Sequence, residues 1–389
     1  MEQGKSLHSR VSSAIPFLTA VGDVSFMGRN ADALSAAVFE GVRPVFNNSP
    51  FVVANLECPL VEAGEPVAGK CVLRGKPGWA ALMADAGIHL VSLANNHSMD
   101  FGRLGLVSTI QALDKAGIKY VGAGLNERDA CAPLFISSEV GRIAFLARSS
   151  VEVSSPSYAT ASQPGVAFFK EEETLQAIKK SREQADIIVL MIHWGLEHYQ
   201  YPSPQQRGLA KRLIEAGAAI ILGHHPHALQ GAEKIGSGIV AYSLGNFLFD
   251  NLSWQASMAG ESREIRITLT TENREGMALR LFRSSAGRFY YCETFTAIND
   301  SAEVILEDTG VRKKAFSGLC ERLRVPLYDF WWKFYAVRRE WDLRVSRQIS
   351  LSRLVKGFYK IRPRHIIELL YSLKRSARIT SGKSTNPYE

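Results

Sequence analysis

The chain has 389 residues, of which 46% are hydrophobic and 22% charged, a composition typical of a globular protein with a substantial core and one that excludes general disorder. Its five cysteines lack paired spacing, which excludes a disulfide scaffold, and it has neither a signal peptide nor a membrane-spanning apolar run, so we expect a cytoplasmic protein. The formal net charge is +8, but residues 311–389 hold 19 Lys and Arg against 6 Asp and Glu, a charge of +13, which leaves −5 for residues 1–310. Any attraction to an anionic partner therefore belongs to the C-terminal part and is not a property of the whole chain.

Short apolar runs alternate with stretches of helical composition from residue 15 to residue 249. The runs that predict buried strands are Ile15–Asp23, Phe51–Glu57, His89–His97, Ile143–Arg148, Asp186–His193, Ala218–His225 and Ile239–Asn246. The stretches that predict helices are Gly78–Ala86, Leu104–Ala116, Glu171–Gln184 and Pro204–Ala216. This alternation is typical of βα units in a layered α/β domain, in which ligands bind beyond the carboxyl ends of the strands.

A different pattern begins near residue 263. Three β-rich segments separated by turn residues predict an antiparallel meander that closes the domain: Glu264–Thr271, Met277–Arg283 and Arg288–Thr296. After residue 301, aromatic, leucine and basic residues recur at helical intervals and predict a helical C-terminal extension. We therefore divide the chain into an N-terminal tail (1–14), an α/β domain (15–300), a basic aromatic helical extension (301–380) and a disordered tail (381–389).

Six motifs place polar residues where an apolar run ends. They are AVGDVSF with Asp23, NLECPL with Glu57, LANNHSMD with Asn96 and His97, IHWGLEH with His193, GHHPH with His225 and His227, and SLGNF with Asn246. Side chains at the ends of adjacent parallel strands can converge on one point beyond the sheet, which brings N and O ligands together from distant segments. The motifs therefore predict a divalent metal centre.

Each of these residues, taken singly, also fits a structural role. Asp23 could cap a turn, and Asn95 and Asn96 could be turn residues. His193 could be a buried histidine with satisfied hydrogen bonds. Three histidines within four residues after an apolar strand are harder to explain in this way, so the GHHPH segment favours metal binding most strongly.

Taken together and in this order, GDVSFMGR, NLE, LANNHSMDFG, HWGLEH, GHHPHALQG and YSLGNFLFD closely resemble the CapA family of poly-γ-glutamate capsule synthesis proteins. Its domain, PGA_cap, belongs to the calcineurin-like metallophosphatase superfamily. The match extends from Pro16 to Leu281 and depends on order, spacing and local context together. The resemblance implies a metallophosphatase-like layered α/β/β/α sandwich, followed here by the helical extension.

The resemblance also implies roles for individual residues. It assigns metal binding to one group of side chains, namely Asp23, Glu57, Asn96, His193, His225 and His227. Within this group Glu57 takes the position of a bridging aspartate, while the neighbouring His224 is an extra residue. His97 matches the general acid, and Asp100 matches the carboxylate that orients it.

The sequence departs from the superfamily pattern at two motifs. Ser25 stands where the DxH motif has its histidine, and the second motif lacks the GDxxD form. We therefore expect one or two divalent ions, with one position weaker, differently ligated or empty. Imidazole and carboxylate ligands suit Mn, Fe or Zn. Residues expected to contact substrate or to support the ligands are Arg29, Asn55, Asn95, Glu197 and Asn246, although Arg29 fits a solvated loop charge equally well.

The function implied by the resemblance is metal-dependent hydrolysis during biosynthesis of a poly-γ-glutamate capsule or another cell-envelope polymer. The substrate would be an acidic polymer or a phosphoester, cut at an amide or phosphoester bond. A metal would polarise the scissile group, and His97 would protonate the leaving group. One alternative is a non-catalytic subunit that binds an acidic polymer or organises a capsule synthase. Another is a phosphoesterase of small substrates.

Between Leu319 and Arg378, basic and aromatic residues alternate at helical spacing, as in YDFWWKFYAVRREWDLRV. One interpretation is a helical extension that packs its aromatic stripe on the main domain and exposes its charges. A second is peripheral docking on an anionic membrane surface or on capsule synthase subunits, because basic residues beside Trp and Tyr suit anionic lipid. Nucleic-acid binding is not expected, since no recognised module accompanies the charge.

Overall fold

The computed structural model describes residues 13–28, 35–68, 70–151, 157–258 and 261–343. The strands of this part of the chain are, in order, β1 (Ile15–Val24), β2 (Val52–Leu56), β3 (Leu90–Ser92), β4 (Lys119–Val121), β5 (Ala123–Gly124), β6 (Leu134–Ser138), β7 (Gly141–Ser149), β8 (Gly165–Val166), β9 (Ile187–His193), β10 (Ile220–His224), β11 (Ala232–Ile235), β12 (Gly238–Ala241), β13 (Asn246–Leu248), β14 (Leu252–Met258), β15 (Glu261–Ile267), β16 (Glu275–Arg283), β17 (Phe289–Ile298) and β18 (Val304–Leu306). Its α-helices are α1 (Ala37–Glu40), α2 (Arg43–Asn47), α3 (Trp79–Ala86), α4 (Gly102–Ala116), α5 (Glu127–Cys131), α6 (Glu171–Ser181), α7 (Pro204–Ala216), α8 (Gly310–Arg322) and α9 (Tyr328–Trp341). A 3-10 helix covers Thr271–Arg274.

Two mixed sheets form the centre of the fold. The first has the strand order β18-β17-β16-β1-β2-β3-β4, with β13 beside β1; strands β1 to β4 are parallel, and β16 to β18 are antiparallel. The second has the order β11-β12-β10-β9-β7-β6, with parallel central strands and antiparallel edge strands. Within each sheet the carboxyl ends of the parallel strands therefore lie at one edge, where ligands bind in such folds.

Three large apolar cores lie between the layers of the described chain. The core between the sheets includes Leu18 of β1 and Phe145 of β7. Helices α3 and α4 cover the outer face of the first sheet, where Trp79 is fully buried. Helices α6, α7 and α9 cover the outer face of the second sheet through residues such as Leu213 and Trp332. These layers confirm the predicted α/β/β/α sandwich with a helical C-terminal extension.

Local sequence signals explain where helix α7 begins and ends. Ser203 accepts a hydrogen bond from the backbone of Gln206, whose side chain in turn accepts one from the backbone of Ser203, and Pro204 occupies the first turn. The helix ends at Gly217, which has a φ of 117°. The predicted span of Pro204–Ala216 is therefore confirmed. Strand β9 is buried at every residue because both faces of its sheet are covered.

The structure corrects two of the predicted strands. The run Ile239–Asn246 is not one strand: β12 belongs to the second sheet, β13 belongs to the first, and residues 242–245 cross between them. The predicted first strand of the meander, Glu264–Thr271, is also wrong in its pairing. Its counterpart β15 pairs with β14 in a separate two-stranded sheet, while β16 and β17 join the first sheet as expected. Alternation identifies a strand, but it does not specify its partner.

Helices α8 and α9 follow the last strand of the first sheet. In the residues that the structure describes, no helix has both the length and the hydropathy required to cross a bilayer.

Candidate metal centre

Strand register brings polar residues from distant segments to one place. Asp23, near the end of β1, pairs with Asn55 of β2 on one side and with Asn246 of β13 on the other. In the second sheet, the terminal residues His193 of β9 and His224 of β10 are register partners. The predicted convergence of strand-end side chains is therefore present in the fold.

Close strand packing at this point requires a glycine. A Cβ atom at Gly22 would lie 1.9 Å from the carbonyl oxygen of Gly245, so a larger residue could not be accommodated without moving β1 away from the segment that leads into β13. This contact places Asn246 beside Asp23.

Two groups of three side chains could each hold a metal ion, and both groups include Glu57. The first consists of Asp23, Glu57 and His193; the second consists of Glu57, His225 and His227. Within each group the ligand atoms lie within 4.8 Å of one another, and all five residues are buried. The ligand types, imidazole and carboxylate, are those that Mn, Fe and Zn accept. The shared carboxylate could serve one ion or bridge two.

Unsatisfied buried atoms provide a test of whether a metal fits here. Both carboxylate oxygens of Glu57 and both ring nitrogens of His225 are buried and have no hydrogen-bond partner among the described residues. An unsatisfied buried polar group costs about 1–3 kcal/mol, more if it is charged, so four such atoms in one place call for a ligand. Glu57 Oε1 also lies 3.5 Å from Nε2 of His193 and 3.5 Å from Nε2 of His227. The residues present therefore fit a divalent ion.

Burial sets the protonation of these groups when no metal is bound. Burial, together with the charges of Asp23 and Glu197, raises the pKa of Glu57 well above its usual value. Burial lowers the pKa of His225 to about 4, and burial with the neighbouring histidines lowers the pKa of His193 well below its usual value. Since neutral imidazole is the form that binds metals, both histidines are competent ligands at neutral pH.

Asp23 is surrounded by donors. Asn55 Nδ2 donates to Oδ1 at 2.8 Å, and the backbone N–H of His225 donates to Oδ2 at 3.2 Å. His224 Nδ1 lies 3.2 Å from Oδ1. Burial alone would raise the pKa of Asp23, but His224 and His227, with the hydrogen bond from Asn55, hold it below its usual value. His224, the extra histidine of the motif, thus contacts Asp23 and belongs to neither ligand group.

The loop after β3 carries two asparagines with different positions. Asn96 Oδ1 lies 2.9 Å from Nε2 of His193, so this amide reaches the ligand cluster. Asn95 Nδ2 donates to the carbonyl oxygen of Leu56 at 2.8 Å, and its Oδ1 accepts the backbone N–H of His97 at 3.0 Å. Asn95 therefore holds the loop in place beside the cluster.

His97 and Asp100 form a dyad next to the ligands. His97 Nδ1 lies 2.7 Å from Asp100 Oδ2, which also accepts the backbone N–H of Leu73 at 2.6 Å. Lys70 Nζ contacts Asp100 Oδ1 and the backbone carbonyl oxygen of Asn96. Burial lowers the pKa of His97, although the Asp100 carboxylate opposes this effect. Sequence reasoning missed Lys70, which lies in a loop without periodicity or a motif.

Asn246 supports His227 from the other side of the cluster. Its Oδ1 lies 2.9 Å from Nδ1 of His227, and its Nδ2 donates to the carbonyl oxygen of Asn273 at 2.8 Å. Asn273 in turn donates to the carbonyl oxygen of His227 at 2.7 Å. Sequence reasoning also missed Asn273, because it lies in the 3-10 helix just before β16, outside the predicted strand ends, and matches no motif.

One further predicted residue, Glu197, lies at the margin of the cluster. The side chain of Glu197 is 16% exposed, and Glu197 acts electrostatically on both Glu57 and His225. Arg29 lies outside the described residues, so its predicted role stays a prediction.

Backbone strain is concentrated at the cluster. In the described part of the chain five non-glycine residues have a positive φ, and three of them are His198, His225 and His227. Such conformations cost about 1–3 kcal/mol each and are retained where the surrounding structure holds them, often at functional sites.

Comparison with known proteins agrees with these motifs. The family model described as bacterial capsule synthesis protein PGA_cap matches residues 17–251. The capsule biosynthesis protein CapA of Bacillus anthracis is 37% identical over 246 residues, which cover 60% of this chain and 59% of the relative. The PGA biosynthesis protein CapA of Bacillus subtilis (strain 168) is 32% identical over 238 residues, covering 59% of this chain and 62% of the relative. The match thus spans about three fifths of the length of these relatives.

Solved structures of enzymes are also similar at low identity. A phosphatase from Mycoplasma pneumoniae has a TM-score of 0.44 and 12% identity, covering 77% of this chain and 96% of that chain. The NAD nucleotidase of Haemophilus influenzae has a TM-score of 0.40 and 14% identity, covering 79% of this chain and 56% of that one. The family match, by contrast, covers more than half of the chain with the ligand motifs in order. This chain belongs to the PGA_cap family of bacterial capsule synthesis proteins.

Proposed function

We propose that this chain is a metal-dependent hydrolase of capsule or cell-envelope polymer biosynthesis that cuts an amide or a phosphoester bond. The observation that carries the proposal is the pair of buried ligand groups sharing Glu57, in which Glu57 and His225 have no hydrogen-bond partner among the described residues. The Bacillus subtilis relative is a PGA biosynthesis protein, which supports an acidic polymer as the substrate class.

The ligand groups define which residues would hold the metal. Asp23, Glu57 and His193 would hold a metal as one group, and Glu57, His225 and His227 would do so as the other. When bound, a divalent ion supplies Lewis acidity, which polarises the scissile group and lowers the pKa of water.

The chain's own residues would position the substrate and transfer a proton. Because Nδ1 of His97 is engaged by Asp100, Nε2 is the nitrogen available to protonate a leaving group. Asp100 fixes the orientation of the imidazole, and Lys70 balances the charge of this buried carboxylate. His97 keeps 12% of its side chain exposed, so the ring is not sealed from solvent.

The test begins with metal analysis of the purified protein. It continues with a panel of γ-glutamyl amides, poly-γ-glutamate and phosphoesters, assayed with Mn, Fe and Zn. We expect the double variant His225→Ala/His227→Ala to lose both metal and turnover. His89→Gln is the matched control, since His89 precedes β3 at the amino end of the strand and should leave metal content and turnover unchanged.

Two outcomes would contradict the proposal. Turnover that persists in the metal-free double variant would show that the ligand cluster is not the active centre. Polymer binding without turnover at any metal loading would instead identify the chain as a non-catalytic binding or assembly subunit.

A further inference from the structure

Helix α9 is bonded to the segment that leads from the metal centre to helix α7. This segment consists of residues 198–202 and follows the motif that ends β9. Each of its residues has a hydrogen bond to a side chain of α9. In chain order the bonded pairs are His198 with Arg339, Tyr199 with Glu340, Gln200 with Tyr335, Tyr201 with Trp332 and Pro202 with Tyr328. The helix therefore fixes the whole of what we call the 198–202 segment.

His198 connects this segment to the loop that carries two of the ligands. Its backbone N–H donates to the carbonyl oxygen of Pro226 at 2.7 Å, and Pro226 lies between His225 and His227. The centres of the His198 and His227 rings are 6.4 Å apart. A shift of His198 would therefore be passed directly to the backbone of the ligand loop.

Asn273 provides a second connection between the same parts. Its Nδ2 donates to the carbonyl oxygen of His227 at 2.7 Å and lies 3.0 Å from Nδ1 of His198. A carbonyl oxygen can only accept, so the amide nitrogen of Asn273 is a donor, and Nδ1 of His198 accepts from it. One buried amide thus joins the backbone of a ligand to the ring of His198.

Arg339 holds both connections from helix α9. Its Nε donates to the carbonyl oxygen of His198 at 2.8 Å, and its Nη2 donates to Oε2 of Glu272 at 2.9 Å. Glu272 directly precedes Asn273 in the 3-10 helix Thr271–Arg274. Only 18% of the Arg339 side chain is exposed, and a planar guanidinium presents its donors in a fixed geometry. The side chain therefore fixes the distance between His198 and the 3-10 helix.

The backbone conformations at this place explain why such support is needed. His198, His225 and His227 have φ values of 65°, 95° and 50°, all in the left-handed region. Residues other than glycine keep such conformations only where the surrounding structure imposes them. The bonds from His198 to Pro226 and from Asn273 to His227 impose them on the ligand loop. Arg339 holds the two donors in place.

We infer that Arg339 is a positioning residue for the metal centre. It acts through His198 and Asn273, which hold the backbone of the ligand loop. The inference rests on the proposed function, because it requires the ligand cluster to bind a metal. The family match ends at residue 251, so Arg339 and Asn273 both lie outside it. The helical extension thus supports a site whose ligands all come from the α/β domain.

The test is equilibrium dialysis of the full chain against Mn²⁺ and against Zn²⁺. Arg339→Met should weaken metal affinity about tenfold, because the ligand loop loses the support that fixes its geometry. Arg339→Lys keeps the charge and a donor at this position, so its affinity should fall between those of Arg339→Met and the wild type. Arg338→Met is the matched control, since Arg338 is 85% exposed on the same helix and lies 3.9 Å from Asp342. It should bind metal as the wild type does.

A further variant, Tyr335→Phe, separates positioning by Arg339 from general packing of the helix. It removes the bond to Gln200 but leaves both bonds of Arg339, so its metal affinity should stay that of the wild type. Circular dichroism verifies that each variant is folded. Where Arg339→Met does not fold, the comparison of Arg339→Lys with Tyr335→Phe decides in the same way.

Three outcomes would contradict the inference, and they differ in what they say of the proposed function. Unchanged affinity of Arg339→Met would overturn the inference alone. Equal losses in Arg339→Met and Tyr335→Phe would do the same, because the packing of α9 would then be the cause. A wild type that binds neither metal would instead overturn the proposed function, and the inference with it.

Discussion

Replacing His225 with asparagine should change how the stability of the metal-free protein depends on pH. Burial lowers the pKa of His225 from a usual value of 6.5 to about 4. Between these values the unfolded chain binds a proton that the native protein does not, so stability is lost as the pH falls from about 6.5 to about 4. At about 1.36 kcal/mol per pH unit, the full loss attributable to this residue is about 3 kcal/mol. Asparagine does not titrate, so the variant should lose about 3 kcal/mol less over the same interval.

The assay is urea unfolding in the presence of a chelator at several pH values between about 7 and about 4. The charge of His225 also contributes to the lowered pKa of His193, so the replacement removes that contribution as well. The difference between the two proteins therefore reports the imidazole of His225 together with its effect on His193, and both act in the same direction. If wild type and variant lose the same free energy of unfolding across this range, the pKa of His225 is not lowered in the native state, and the reasoning that burial keeps this ring neutral at acidic pH is refuted.

Three further substitutions test the surroundings of the ligands. The Glu57→Gln variant should release fewer protons on metal binding at mildly acidic pH than the wild type, because the raised pKa of Glu57 means that its carboxyl must lose a proton when the metal binds. Calorimetry in buffers of different ionisation enthalpy measures the protons released, and equal release by both proteins would contradict this expectation. Asn246→Ala should weaken metal affinity about 10–100-fold in equilibrium dialysis, since His227 loses its partner at Nδ1; unchanged affinity would show that this contact does not orient the ring. Lys70→Met should lower the free energy of unfolding by about 3 kcal/mol, because Asp100 keeps a buried charge without its cation; a neutral effect in urea unfolding would mean that the pair is not formed.

Part of the centre could be predicted because strand ends are visible in the sequence. The run IIVLMIH is apolar until His193, and such a run predicts both a buried strand and the position of the polar residue that ends it. The same logic placed Asp23 at the end of β1 and His225 at the end of the run that forms β10. Parallel strands then bring these side chains together, so the fold class and the convergence of these side chains follow from one pattern.

Other parts depend on contacts that no local pattern specifies. The run Ile239–Asn246 is predicted as one strand because it is largely apolar. In the structure residues 242–245 cross from one sheet to the other, and Gly245 within this crossing has a φ of 69°. Lys70 reaches the cluster from a loop and Asn273 from the 3-10 helix Thr271–Arg274, where neither periodicity nor a motif shows which neighbours they will meet. Those positions follow from tertiary packing, which the sequence pattern does not encode locally.

The cluster is costly to the fold, and that cost is itself an argument for its function. The unsatisfied atoms of Glu57 and His225, and the left-handed backbone at His225 and His227, each cost about 1–3 kcal/mol, a large share of the stability of an ordinary domain. Apolar residues in these positions would avoid this energetic cost. The three cores hold the arrangement in place without a ligand, and a metal that binds only the native state would recover much of the loss. A chain that maintains five buried ligand residues under these conditions is therefore better explained by binding a metal than by stability alone.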